Sequence, residues 1–204
     1  MQDFQTDQEA FWAGEFGDDY IDRNSMEQFV THKLVMWSKI LSSAGKVSSA
    51  MELGCNIGLN LMALRRLGPS LDLTAYEINT KAAAQARENA DANVHVGSVL
   101  EDLDAGQVDM TFTSGVLIHI NPDHLAKVYA NLYNHSRRYV VVSEYYNPSP
   151  VSISYRGHKD RLFKRDFAGD LIEQYDMKLV DYGFVYKRDP WAPQDDTTWF
   201  LLEK

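Results

Sequence analysis

The sequence predicts an α/β fold, a Rossmann-like, mostly parallel sheet with helices on both faces. Three observations lead there. Short apolar runs alternate with amphipathic helical patterns from Val47 to Tyr175, the order expected of a parallel, doubly wound sheet. The first run ends in an acid, two glycines and a leucine-rich helix start, Ser49-Ala50-Met51-Glu52-Leu53-Gly54-Cys55-Asn56-Ile57-Gly58-Leu59-Asn60. The chain closes on two strand-like runs, 178–186 and 197–202, with no helix pattern between them, so they pair antiparallel.

Residues 1–45 precede the first strand as a helical cap on a domain of residues 46–204, the whole forming one structural unit. Phe11-Trp12-Ala13-Gly14-Glu15-Phe16-Gly17-Asp18-Asp19-Tyr20 mixes aromatics, glycines and acids, and a helical pattern, Phe29-Val30, Leu34, Trp37, Ile40-Leu41, follows. Ser25 is its expected cap. The segment is expected to cover the mouth of a binding crevice. Strands then fall at 47–53, 71–77, 93–96, 108–114 and 138–145, and helices at 59–67, 80–90, 122–134 and 167–175. Gly68-Pro69 stops the first of these helices, Asn121 caps the one that Pro122 opens, and Asp166 caps the last. Five parallel strands closed by an antiparallel pair make the seven-stranded sheet of class I methyltransferases.

The spacing of the first turn selects among nucleotide-type cofactors. A dinucleotide fingerprint requires Gly-x-Gly-x-x-Gly, whereas here the glycines are Gly54 and Gly58 with Asn56 between them, which leaves a pyrophosphate no glycine-lined seat. Glu52, just before the turn, suits the ammonium of S-adenosylmethionine and would repel a pyrophosphate. Glu77 ends the second strand about 20 residues beyond Gly58, the separation at which an acid meets ribose hydroxyls. After the third strand, Ser98 and Val99 stand where an acid commonly meets adenine. Glu52, Gly54, Asn56, Gly58, Glu77, Ser98 and Val99 are thus the expected cofactor residues.

Composition narrows the class. Hydrophobic residues make up 45% of the 204 and charged residues 24%, as in ordinary globular domains. A net charge of −9 disfavours nucleic acid and anionic membranes. No apolar run approaches the roughly 18 residues of a membrane span, and the polar start Met1-Gln2-Asp3-Phe4 is no signal peptide, so a cytoplasmic protein is expected. Cys55 is the single cysteine; a small packed residue is its expected role, a nucleophile the alternative. Asp195, Asp196 and His158 lack a metal-ligand spacing, and no metal is expected.

Ligands of open α/β sheets lie beyond the carboxyl ends of the strands. There His119 follows the fourth strand, and Glu144, Tyr145 and Tyr146 end the fifth. His119 is a general-base candidate, since imidazole titrates near neutrality; holding a loop is its alternative. Glu144 either accepts a proton from the acceptor or pairs with an arginine such as Arg156. Arg156, Lys159, Arg161, Lys164 and Arg165 crowd one stretch after the fifth strand. Such an insert either clamps an anionic small-molecule substrate or is a solvated basic turn.

Over nearly its whole length the chain resembles the pseudaminic acid biosynthesis-associated methylases, a branch of class I S-adenosylmethionine-dependent methyltransferases. The resemblance runs through Phe11-Trp12-Ala13-Gly14-Glu15-Phe16-Gly17, Tyr20, Arg23-Asn24, the Glu52–Asn60 turn, Gly115-Val116-Leu117-Ile118-His119-Ile120-Asn121-Pro122 and Glu144-Tyr145-Tyr146-Asn147-Pro148. It continues through Tyr155-Arg156-Gly157-His158, Leu162-Phe163-Lys164-Arg165-Asp166-Phe167-Ala168-Gly169 and Pro193-Gln194-Asp195-Asp196-Thr197-Thr198-Trp199. It implies a bacterial enzyme methylating an oxygen or nitrogen of a nonulosonic acid sugar, whose carboxylate would meet the basic insert. Tyr20, Arg23, Tyr145, Tyr146, Arg156, His158 and Arg161 would frame that acceptor. The rival expectations are a methyltransferase for an amino acid or other small carboxylate, and a cofactor-binding subunit without turnover.

Overall fold

A computed structural model describes residues 4–21, 26–155 and 158–204; the side chains of residues 26–27, 154–155 and 158–161 lie outside it. Seven strands form one sheet in the order β3-β2-β1-β4-β5-β9-β8. β1 (Ser49–Leu53), β2 (Asp72–Glu77), β3 (Asn93–Val96), β4 (Val108–Ser114) and β5 (Ser136–Glu144) run parallel, and β8 (Lys178–Val185) and β9 (Thr197–Glu203) close the sheet antiparallel. Strand order reverses at β1, which pairs with β2 on one side and β4 on the other. A crevice opens at the carboxyl ends of such a pair.

Alternating side chains of the strands feed two cores. On one face Ala50, Met110, Phe112, Val141 and Leu201 meet α3 (Met26–Ser43), α4 (Leu59–Leu67) and α5 (Thr80–Ala90) through Trp37, Ile40, Leu61, Leu64, Ala83 and Ala86. On the other, Met51, Leu53, Val140, Val142 and Leu202 meet α6 (Leu125–His135) and α7 (Phe167–Tyr175) through Val128, Leu132, Phe167 and Leu171.

The expected elements form, with shifts at their ends. The helix expected at 122–134 begins as a 3-10 turn, Pro122–His124, capped by Asn121, and becomes α-helical at Leu125. Asp166 caps α7 by accepting from the Gly169 N–H at 2.8 Å. The expected cap Ser25 lies outside the described residues. Before it, α1 (Asp7–Ala13) and α2 (Glu15–Ile21) break at Gly14, and Phe11 stacks on Phe16 with ring centres 4.0 Å apart.

One expectation changes. The basic insert is an antiparallel hairpin, β6 (Val151–Tyr155) with β7 (His158–Lys164), joined to the end of β5 by a bridge from Tyr146 to Arg165. Period-2 alternation in Val151-Ser152-Ile153 and the buried Leu162 account for it: an apolar residue on one side of a charged strand anchors it against the core.

Candidate active site

The glycine turn is built for close approach. Gly54 and Gly58 hold left-handed φ of 78° and 83°, and Asn56 between them has φ 47°. A Cβ on Gly54 would stand 2.6 Å from Val116 Cγ2, and one on Gly58 3.2 Å from Ala86 Cβ. The first glycine lets the fourth-strand turn close over the crevice, and the second lets α5 approach the start of α4.

Two carboxylates flank this turn. Glu77 accepts from the Asn56 N–H at 2.7 Å on Oε2 and from the Asn79 N–H at 2.8 Å on Oε1. Burial raises its pKa, with those backbone donors opposing the rise. Glu52, 1% exposed, accepts from Asn60 Nδ2 at 2.7 Å, and Asn60 in turn accepts from Trp37 Nε1 at 3.1 Å. Its Oε2 is buried without a partner, and burial pushes its pKa up to about 8.

A cavity of about 540 Å³ lies over these strand ends. Glu52, Gly54, Asn56, Glu77, Ser98, Val99, His119, Tyr20 and Tyr145 all line it. Gly58, at the start of α4, supports the turn from behind that wall. Glu144 is also behind it, 2% exposed, accepting on Oε1 from the Val116 and Leu117 N–H groups at 2.9 and 3.1 Å. It holds the turn that carries His119, and burial raises its pKa to about 7. Tyr146 points away, 44% exposed, with its ring 5.9 Å from Phe200. Arg23 and Arg156 lie outside the described residues, as do the side chains of His158 and Arg161. Burial raises the Cys55 thiol well above its ordinary pKa, which disfavours the thiolate a nucleophile needs.

The cap contributes residues that sequence reasoning missed. Trp12 packs on His119 with ring centres 4.7 Å apart, and its indole Nε1 is buried without a partner. Glu9 accepts a hydrogen bond from Ser98 Oγ, so a carboxylate does reach the third-strand turn, supplied by α1. Thr6-x-x-Glu9 was legible as a capping box, but its reach to Ser98 was not. His32 and Lys33 of α3 and Gln194 of the β8–β9 connection complete the wall. Lys33 left a trace in the sequence: it interrupts the apolar stripe through Val30 and Trp37.

Residues 50–138 match the family model described as Methyltransferase domain. No curated protein matches. Among solved structures, the chain is similar to 1,6-didemethyltoxoflavin-N1-methyltransferase from Burkholderia thailandensis, with 13% identity, 96% of this chain and 86% of that one covered, and a TM-score of 0.70. It is similar to magnesium protoporphyrin IX methyltransferase from Synechocystis PCC 6803 with bound S-adenosylhomocysteine, at 13% identity, 97% and 100% coverage and a TM-score of 0.68. A glycopeptide N-methyltransferase complexed with sinefungin follows at 14% identity, 85% and 93% coverage and a TM-score of 0.65. No helix among the described residues is long and apolar enough to cross a membrane. The chain has the Rossmann-like fold of class I methyltransferases, and its residues 50–138 match a methyltransferase domain.

Proposed function

We propose that this protein is an S-adenosylmethionine-dependent methyltransferase acting on an oxygen or nitrogen of a small, anionic, sugar-derived acceptor of the nonulosonic type. The observation that carries the cofactor reading is the pair of acids at adjoining strand ends, Glu77 beside the glycine turn and Glu52 with one buried oxygen bare. S-adenosylmethionine supplies an activated methyl on a cationic sulfur that leaves readily, so alignment rather than acid or base carries much of the acceleration. Glu52 meets the cofactor's ammonium, Glu77 its ribose hydroxyls, and Ser98 and Val99 its base. Gly54, Asn56 and Gly58 bring backbone close to it.

His119, on the cavity wall against Trp12, takes the acceptor's proton. Glu144 steadies the turn that presents it. Tyr20 and Tyr145 frame the acceptor, with Arg23, Arg156, His158 and Arg161 expected around it from the sequence; Tyr146, turned towards Phe200, is not among them. The similar structures carry names of methyltransferases for a porphyrin, a glycopeptide and a toxoflavin precursor, and a small acceptor fits that company. The sugar class rests on the sequence resemblance. Incubation with methyl-labelled S-adenosylmethionine and a panel of nonulosonic acids, amino acids and neutral sugars tests it. Label on a nonulosonate is the expected outcome. Label on an amino acid instead would transfer the site to that substrate class, and cofactor binding without label transfer would leave a binding subunit.

A further inference from the structure

Lys33 sits on the buried side of α3, one turn after Val30 and one before Trp37, which are 0% and 1% exposed. Half-buried, it lines the cavity, and among the described residues no hydrogen bond or ion pair holds its ammonium. Burial lowers its pKa, and the nearby charges of Glu52, Asp195 and Glu144 oppose that shift. Beside it His32, 5% exposed, leaves Nδ1 without a partner. Gln194 donates through Nε2 to the His32 carbonyl at 3.2 Å, which fixes its amide, and its Oε1 is also buried and unpartnered. His32, Lys33 and Gln194, from two distant segments, thus line one cavity, and two of their polar atoms, His32 Nδ1 and Gln194 Oε1, are buried with nothing to bond. Buried polar atoms are seldom left so, and here the missing partner belongs in the cavity.

We propose that Lys33, flanked by His32 and Gln194, is the cavity's receptor for a carboxylate. The proposal deepens the methyl-transfer reading and rests on it. An ammonium is a compact charge that takes one oxygen well, and the surrounding acids repel a second negative charge, so a monoanion fits better than a phosphate dianion. His32 Nδ1 and Gln194 Oε1 remain to meet hydroxyl or N–H groups next to the carboxylate. The carboxylate has two sources, the amino-acid tail of the cofactor and the acceptor.

Calorimetry on the full chain separates them, with S-adenosylhomocysteine, 5′-methylthioadenosine, which lacks the tail, and glucuronate as probes. If the tail is the source, Lys33→Met weakens S-adenosylhomocysteine by about tenfold or more and leaves methylthioadenosine within about twofold, and Lys33→Arg recovers part of the loss. If the acceptor is the source, both nucleosides bind as before. Glucuronate then binds the S-adenosylhomocysteine-loaded protein more tightly than its uncharged methyl ester does, and Lys33→Met abolishes the difference. Equal weakening of both nucleosides overturns the proposal, as does an unchanged pair with no Lys33-dependent glucuronate binding. If the unsubstituted protein binds no S-adenosylhomocysteine, the methyl-transfer reading itself fails and takes this proposal with it.

Discussion

Glu52 and Glu77 end neighbouring parallel strands, are both buried, and differ in one respect that decides their roles. Both oxygens of Glu77 receive backbone N–H groups from the turns around them. Glu52 receives one side-chain amide and keeps one oxygen bare. The first carboxylate is part of the scaffold and meets a ligand only with its remaining lone pairs. The second is held by Asn60, itself held by Trp37, and keeps an oxygen that the chain leaves without a partner. A buried carboxylate can therefore be structural or receptive according to how many donors the chain itself brings to it.

The sharpest break comes at Glu77. Glu77→Ala strands two backbone donors and, on the proposed reading, removes the ribose partner, so it should destabilise the fold by about 2–4 kcal/mol and weaken S-adenosylhomocysteine by about 100-fold. Thermal unfolding and calorimetry measure the two effects, and unchanged stability would show that the turn does not need its clamp.

Glu52→Gln should behave in the opposite sense. It keeps an acceptor for Asn60 and replaces a carboxyl that burial holds neutral below about pH 8, so stability should hold while affinity for S-adenosylhomocysteine falls by about 10–30-fold. A matching loss of stability would put Glu52 in the same class as Glu77.

A smaller effect follows from pH. In the ligand-free protein Glu52 is protonated below about 8, and it must ionise to meet an ammonium. Affinity should therefore climb between about pH 6.5 and 8, by less than about tenfold per unit, with proton release visible as a dependence of binding heat on the buffer. Stability without ligand runs the other way. Glu52 and Glu144 have folded pKa values of about 8 and about 7, above the ordinary 4.5. The folded state thus holds more protons, its advantage is complete below about pH 4.5, and it is lost as pH rises towards 8. A melting temperature that rises over this interval would contradict both assignments.

The mildest test is Trp37→Phe, which removes the N–H donor to Asn60 and keeps most of the ring in the core. Loss of one buried hydrogen bond should cost about 1 kcal/mol and, by loosening Asn60, only a few-fold in affinity.

What the sequence disclosed, and what it did not, divides along the same lines. The sheet was legible because short apolar runs alternate with amphipathic helical patterns from β1 to α7, the order of a parallel sheet covered on both faces. The glycine turn was legible because left-handed backbone demands particular residues. Glu52 and Glu77 followed from their places at strand ends. The roles of Glu9, His32, Lys33 and Gln194 were hidden because segments far apart in the chain meet only in the folded molecule. Gln194, for instance, reaches the His32 carbonyl across most of the chain. The β6–β7 hairpin was masked by its own charges, which drew attention from the alternation beneath them.

Glu9 adds a last consequence. Its Oε2 accepts from the Gln5 and Thr6 N–H groups that begin α1, while its Oε1 takes the hydroxyl of Ser98 at the rim of the crevice. One side chain thereby fastens the start of α1 to the rim of the crevice, so losing the Ser98 hydroxyl should loosen the first turn of α1 as well as the rim.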